Sequence, residues 1–291
     1  MAGSYLGTRL NALRKAQNLD GGWPYFAGKQ SWLEPTLYAA LALHGEPEAD
    51  MAWALVSSWQ QKDGGWRPSA EVGFPHATTA LAVTVAAARG EFGSPFQNGV
   101  HWLLSAVGAE AQLYRRAILA VGSAFGLVED QRDYSLKGWP WKLDTASWVE
   151  PTSHALVALK KAAPKIPSKD LRERVRLGEE MLLNVRCTDG GWNYGNRTAR
   201  GDELVSYPET TGIALVGLQG HAELGPVLDL AGKMLRETAS PMARAWLTIA
   251  MQVNGIFVEP KDTKVSADVL ITALEALGAT DGNHALLKVA A

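Results

Sequence analysis

Four residues able to carry protons or charge occupy one place in four related segments: Glu34, His76, Glu150 and Glu209. An aromatic residue stands two positions before each, in the order Trp32, Phe74, Trp148 and Tyr207. Aromatic faces and carboxylates both attract positive charge, so together they suit a reaction that passes through a cation. The glutamates also have a structural use, because each stands where a helix is expected to start; there a carboxylate caps the helix and is held ionised. Tyr38 and His154 follow Glu34 and Glu150 by four residues, one helical turn along the same face. His154 there is either an acid–base group or a hydrogen-bonded core histidine. Arg115, Arg116 and Arg244 interrupt apolar runs. A guanidinium is not readily neutralised, so an inward-facing one needs a carboxylate, a phosphate or a diphosphate, and otherwise it pairs internally or snorkels to the rim. Glu34, Glu150, Glu209 and His154 are thus the candidate catalytic groups, and the aromatic residues, His76, Tyr38 and the three arginines the candidate substrate contacts.

The elements that must position these residues repeat. Gly22–Thr36 aligns without a gap with Gly138–Thr152, matching at Gly, Trp, Pro, Ser, Trp, Glu, Pro and Thr. A third copy runs from Gly191-Trp-Asn-Tyr through a longer connection to Tyr207-Pro-Glu-Thr-Thr, and a looser fourth from Gly65-Trp to Phe74-Pro-His-Ala-Thr-Thr. An amphipathic segment precedes Asp20-Gly-Gly-Trp23, Asp63-Gly-Gly-Trp66 and Asp189-Gly-Gly-Trp192. Asp-Gly-Gly stops helices because glycine accepts the positive φ that closes them. Glu-Pro-Thr starts them, with proline at a first-turn position. Each unit therefore reads as an outer polar helix, a Gly-Trp turn, a loop and an Ala/Leu-rich helix. Further helices at about 95–106, 110–126, 223–237, 241–254 and 265–278 bring the count near twelve, with almost no strand-like alternation. The connection from Gly195 to Ser206, carrying Arg197, Arg200, Asp202 and Glu203, is a candidate lid.

The runs Gln17-Asn-Leu-Asp-Gly-Gly-Trp23, Gln61-Lys-Asp-Gly-Gly-Trp66 and Cys187-Thr-Asp-Gly-Gly-Trp192 resemble the QW repeat of the squalene–hopene cyclase and prenyltransferase/squalene-oxidase superfamily. The Trp-x-Glu-Pro-Thr segments look like inner helices of that family. The resemblance covers residues 5–220 well and the rest weakly. It implies an all-α fold, a single (α/α)6 barrel over residues 1–291, in which Glu34, His76, Glu150 and Glu209 surround one mouth. The family's alkene-protonating Asp-x-Asp-Asp cluster is missing, as is the Asp-Asp-x-x-Asp magnesium motif. Asp144-Thr-Ala-Ser-Trp148 matches the Asp-Cys-Thr-Ala-Glu segment of the oxidosqualene branch at the aspartate alone, which makes Asp144 a further catalytic candidate. The prenyltransferase zinc triad has only a scrambled echo in Cys187-Thr-Asp189, so no metal and no cofactor is expected.

Composition narrows the partners. The chain has 291 residues, 28 basic and 30 acidic, with 47% hydrophobic side chains, which excludes disorder, collagen and coiled coil. Near-neutral charge without basic runs argues against nucleic acid. The single cysteine, Cys187, rules out an intrachain disulfide and a thiolate zinc site. The N-terminal residues lack a secretory signal pattern, and no run reaches a transmembrane length, so a cytoplasmic protein is expected, with peripheral membrane contact still compatible. A hydrophobic isoprenoid is the expected small-molecule partner. The alternatives are a carbohydrate-active toroid of the polysaccharide-lyase kind, with Trp stacking on sugars and Arg holding carboxylates, or a scaffold that retains the fold without chemistry.

Overall fold

The computed structural model describes residues 4–124, 133–199, 201–261 and 264–289. Among them run α1 (Tyr5–Ala16), α2 (Leu33–Ala42), α3 (Pro47–Ser57), α4 (Thr79–Ala88), α5 (Ser94–Ser105), α6 (Leu113–Ala124), α7 (Val149–Ala162), α8 (Lys169–Asn184), α9 (Pro208–Gly217), α10 (Gly225–Glu237), α11 (Pro241–Val253) and α12 (Val269–Leu277). Two short antiparallel ribbons, β1 (Trp139–Pro140) with β2 (Ser147–Trp148) and β3 (Thr198–Ala199) with β4 (Asp202–Glu203), and two 3-10 turns, Ala109–Ala111 and Asn283–Leu287, complete the described elements. The expected continuation of α6 to 126 and Arg200 of the candidate lid lie outside the described residues.

Six helices, α2, α4, α7, α9, α11 and α12, are buried almost all round, as their Ala- and Leu-rich sequences require. Packing runs α2–α4–α7–α9–α11–α12 and back to α2, a closed cycle. Small residues permit the close approach. A Cβ on Gly212 of α9 would lie 2.9 Å from the backbone of α11. The amphipathic helices lie outside: α1 on α12, α3 on α2, α5 on α4 and α7, α8 on α7, and α10 on α9 and α11. Among the described residues no outer helix is inserted between α11 and α12 in sequence.

The Gly-Trp turns bond the two layers together. Trp23, Trp66, Trp139 and Trp192 are buried, and each backbone N–H donates to a threonine hydroxyl on an inner helix: Thr36, Thr79, Thr152 and Thr211. Their indole N–H groups donate to Leu13, Val56, Leu103 and Leu182 carbonyls at the ends of outer helices. The Trp139 bond reaches back 36 residues where the others reach 10, because α6 and its flanks are inserted in that unit. Gly21, Gly64 and Gly190 take φ of +89°, +93° and +97°, which accounts for Asp-Gly-Gly in three of the turns. Gln17 donates to the Gly21 and Glu48 carbonyls, tying α1 to α3, and Gln60 likewise bonds Gly64 and Pro95. The second repeat's bridging glutamine is therefore Gln60; the neighbouring Gln61 turns back to Trp59.

A second set of bonds links each unit to the one before it. The carbonyl two residues after each turn tryptophan accepts an N–H at the start of the preceding inner helix: Pro68 from Leu33, Trp141 from Ala77, Tyr194 from Val149, and Tyr25 from Val269. The last of these brings the final helix onto the first unit. At the opposite end Asn283 donates to the Leu41 and Ala42 carbonyls and Gln219 to Leu287, so the C-terminal turn lies across the inner helices' C-termini. The weak repeat signal beyond residue 255 thus conceals an inner helix and a terminal plug.

Candidate functional site

The starts of α2, α7 and α9 carry Glu34, Glu150 and Glu209, each two residues before the threonine that holds a turn tryptophan. Their carboxyls are half-buried and close enough to act on one another's charge. Asp268, whose side chain caps α12 by accepting from Leu270 and Ile271, adds a further negative charge that acts on Glu34. The expected capping hydrogen bonds are not found. Among the described residues no backbone N–H donates to the three glutamate side chains; Glu34 instead accepts the Tyr25 hydroxyl at 2.5 Å. Burial pushes Glu150 well above the ordinary carboxylate range, and the charges of Glu34 and Glu209 push it further. Burial also raises Glu34, against the pull of the Tyr25 hydrogen bond, and raises Glu209. A cluster of this kind retains a proton at a pH where isolated glutamates have lost theirs.

Aromatic residues gather at the starts of the same helices. Tyr194 lies 6.1 Å from Trp148 and 5.3 Å from Tyr207, and all three rings are open to solvent at 54%, 39% and 43% exposure. The Trp32 ring packs against Tyr25 at 6.1 Å, and the Lys142 ammonium sits 4.6 Å from the centre of the exposed Phe74 ring. His76 joins this rim and not the acids. Its N–H donates to the Trp66 carbonyl as those of Trp32 and Tyr207 donate to Trp23 and Trp192, so it takes the aromatic place. The sequence alignment is two residues out at His76 and one at the threonine, because the start of α4 is wound tighter and Thr79, not Thr78, accepts from Trp66. His76 stacks on Trp141 at 5.4 Å, and burial lowers its pKa, favouring the neutral form.

Below the acids the space between the inner helices is filled. Tyr38 donates or accepts at 3.0 Å with His154 Nε2, and both rings pack against Trp246 of α11 at 5.6 and 5.8 Å. Burial lowers the His154 pKa to about 4, so at neutral pH it is an uncharged core histidine. These residues, with Leu81, Thr84, Val157, Val216 and Leu287, enclose a void of about 10 Å³, scarcely room for one water.

The three arginines lie away from the acids. Arg244 donates to the Leu235 and Thr238 carbonyls at the end of α10. Arg115 is solvent-exposed on α6, bonded to the Tyr114 hydroxyl, and Arg116 acts on the charge of Asp133. Asp144 is exposed, accepts from Gln112, and takes a left-handed backbone at φ 66°. With Glu110, Tyr114, Arg115 and Tyr134 it lines a shallow groove of about 500 Å³ beside α6, apart from the glutamates. Tyr25, Asp268, Tyr194 and Trp246 are site residues that the sequence reading missed. Tyr25, Trp141 and Tyr194 share a signal that was available: each stands two residues after a turn tryptophan. Among the described residues no group of His, Cys, Asp or Glu side chains is placed to hold a metal, and no helix is long and apolar enough to cross a membrane.

No protein-family model and no curated protein matches the chain. Its fold is similar to that of solved all-helical structures. A protein from Actinoplanes superposes with a TM-score of 0.55 at 21% identity, over 94% of this chain and 78% of that one. The type II terpene cyclase MstE from Scytonema gives 0.52 at 19%, over 85% and 72%. Endoglucanase Cel10 from Klebsiella pneumoniae, a family 8 glycosyl hydrolase, gives 0.61 at 14%, over 93% and 97%. At such identities the likeness is one of fold, a terpenoid cyclase-like helical architecture that glycosyl hydrolases share.

Proposed function

We propose that residues 1–291 form one (α/α)6 barrel that binds an isoprenoid across its mouth, and that Glu150 donates a proton to it. The observation that carries this reading is the Glu150 carboxyl: burial and the charges of Glu34 and Glu209 push it well above the ordinary carboxylate range, and Trp148, two residues before it, groups its ring with those of Tyr194 and Tyr207. Proton transfer from Glu150 to an alkene or to an oxygen leaving group creates a cation, which the aromatic faces and the ionised neighbours stabilise. Glu34 and Glu209 hold the proton in place before transfer and balance charge after it. His154, neutral and bonded to Tyr38, serves the floor. The repeat resemblance and MstE, whose structure was solved with geranylgeranyl dihydroxybenzoate, support an isoprenoid over other apolar substrates.

The filled space beneath the acids favours a second reading. With Tyr38, His154 and Trp246 packed there, the substrate lies over the mouth instead of threading into it. Open aromatic rings beside a protonated carboxyl also suit a sugar, with Glu150 protonating a glycosidic oxygen. Incubating the chain with farnesyl diphosphate, geranylgeranyl diphosphate and squalene, and separately with soluble polysaccharides, tests both. A new lipid product, detected by mass spectrometry and lost in Glu150→Gln, supports the isoprenoid reading. New reducing ends that depend on Glu150 support the sugar, and neither product from either set leaves a scaffold.

A further inference from the structure

Glu34 and Glu150 occupy one register of two equivalent helices. Each follows the residue whose N–H is bonded by the next unit's loop, Leu33 to Pro68 at 2.8 Å and Val149 to Tyr194 at 3.1 Å. Each precedes by two the threonine that receives a tryptophan N–H. Helix dipole and backbone surroundings therefore act on both alike. They differ in one donor. The loop of the first unit places Tyr25 so that its hydroxyl donates to Glu34 at 2.5 Å. In the unit of Glu150 the matching residue is Trp141, which has no hydroxyl and stacks on His76. In the unit of Glu209 it is Tyr194, turned to Trp148 and Tyr207.

Carboxyls that repel one another keep a proton between them, and the hydrogen bonds decide which one holds it. A hydroxyl donated to a carboxylate is a charge-assisted bond, stronger than the same bond to a neutral acid. The other charged groups that act on Glu34 or Glu150 are acidic, Glu209 from α9 and Asp268 from the start of α12, and the Tyr38 hydroxyl one turn below Glu34 is in turn held protonated by burial and by the two glutamates. We propose that Tyr25 is a positioning residue: its hydrogen bond keeps Glu34 ionised and so leaves the cluster's proton on Glu150. It thereby breaks the equivalence of the repeats and selects one donor among three similar acids. This rests on the reading of Glu150 as the proton donor, but its test needs no substrate.

The test is infrared titration of the full chain with ¹³C-labelled glutamate, following the C=O stretch of protonated glutamic acid. A glutamic acid band persists above the ordinary carboxylate range in the native protein. Glu150→Gln removes the component of that band that keeps its proton to the highest pH, leaving the lower-lying Glu34 and Glu209, whereas Glu34→Gln only moves that component's midpoint to lower pH by removing a repelling charge. In the Glu150→Gln background, Tyr25→Phe raises the midpoint of the remaining Glu34 by about one pH unit or more. In the Glu34→Gln background the same change leaves the Glu150 midpoint in place. A highest-titrating component unchanged by Glu150→Gln overturns the proposal, and so does a Tyr25→Phe shift equal in both backgrounds. The comparison of Glu150→Gln with Glu34→Gln decides the proton's location even where Tyr25→Phe does not fold. The expected spectra with no product from any substrate overturn the function and leave the role of Tyr25 standing.

Discussion

The carbonyl of Tyr25 accepts the N–H of Val269 at 2.9 Å, joining the first unit to the last helix. Below this bond the same seam is held by Arg9 of α1 and Glu275 of α12, paired at 3.0 Å with both side chains buried. Arg9 also lies 3.5 Å from the centre of the Tyr5 ring. Removing one member leaves a buried charge without its partner, so Arg9→Met should cost ~3–5 kcal/mol in denaturant unfolding. The double change Arg9→Met with Glu275→Leu should recover most of that loss. A double variant as unstable as the single one would show that the pair is needed for more than mutual neutralisation.

The turn clamps make a second prediction. Trp192 is fully buried, its indole bonded to Leu182 and its N–H to Thr211. Trp192→Ala should cost ~3–5 kcal/mol through the cavity it leaves. Thr211→Val keeps the volume but strands the Trp192 N–H, for a loss of ~1–3 kcal/mol. An unchanged melting temperature in Trp192→Ala would mean that the ring faces a ligand and not the core.

These clamps were legible in the sequence because they depend on local chemistry: glycine at positive φ, Asp bonded to the second glycine's N–H, tryptophan at a fixed distance from a helix end. The paired glutamates were legible too, through the exact spacing of Glu-Pro-Thr. The upward push on their pKa values was not, because a carboxyl at a helix start looks like a cap until its neighbours across the bundle are known. His76 was assigned to the acids since a one-residue tightening of α4 leaves no trace in composition. The arginines misled for a related reason: Arg244 sits in an apolar run, yet the carbonyls that receive it belong to the preceding helix. The helix α12 was legible as a helix, but its place beside Glu34 depends on a closure that no local pattern encodes.

The acid cluster gives the protein a predictable pH dependence. A glutamate whose folded pKa lies above its unfolded value binds more protons when folded, so its contribution is greatest below about pH 4.5 and is lost as pH rises through the raised value. Replacing Glu150 by Gln removes that loss. Glu150→Gln should therefore melt higher than the native protein at about pH 8, by on the order of 1 kcal/mol after allowance for solvent screening, and close to it at about pH 4.5. A variant less stable at both pH values would restore the role of an ionised cap.

The rim should behave in the opposite way to the clamps. Trp148, Tyr194 and Tyr207 leave 39%, 54% and 43% of their surface open, so their truncation removes less buried surface than that of a turn tryptophan. Tyr207→Ala and Trp148→Ala should cost ~1–2 kcal/mol, less than the clamps. Under either enzymatic reading they should weaken ligand binding at least tenfold, measured by tryptophan or tyrosine fluorescence quenching with the substrate that turns over. Full binding in both variants would move the ligand off the rim.

Trp246 separates a floor from a pocket. Its ring closes the space beneath the acids by packing on Tyr38 and His154, and only a void of about 10 Å³ remains. Trp246→Ala should cost ~3–5 kcal/mol, since the inner helices can collapse only partly around the missing ring. The cavity it opens is apolar on the α4, α7 and α9 sides, where Leu81, Val157 and Val216 lie. A substrate with an apolar tail gains a place for that tail, so a longer isoprenoid should stabilise the variant more than it stabilises the native protein. A sugar, which would find no hydrogen-bonding groups beyond His154, Tyr38 and Thr84 in that space, should not. Thermal shifts of the two proteins with a series of prenyl alcohols and of oligosaccharides measure this directly. Equal shifts for every ligand would show that the substrate never reaches the floor, and that its specificity is decided by the aromatic rim alone.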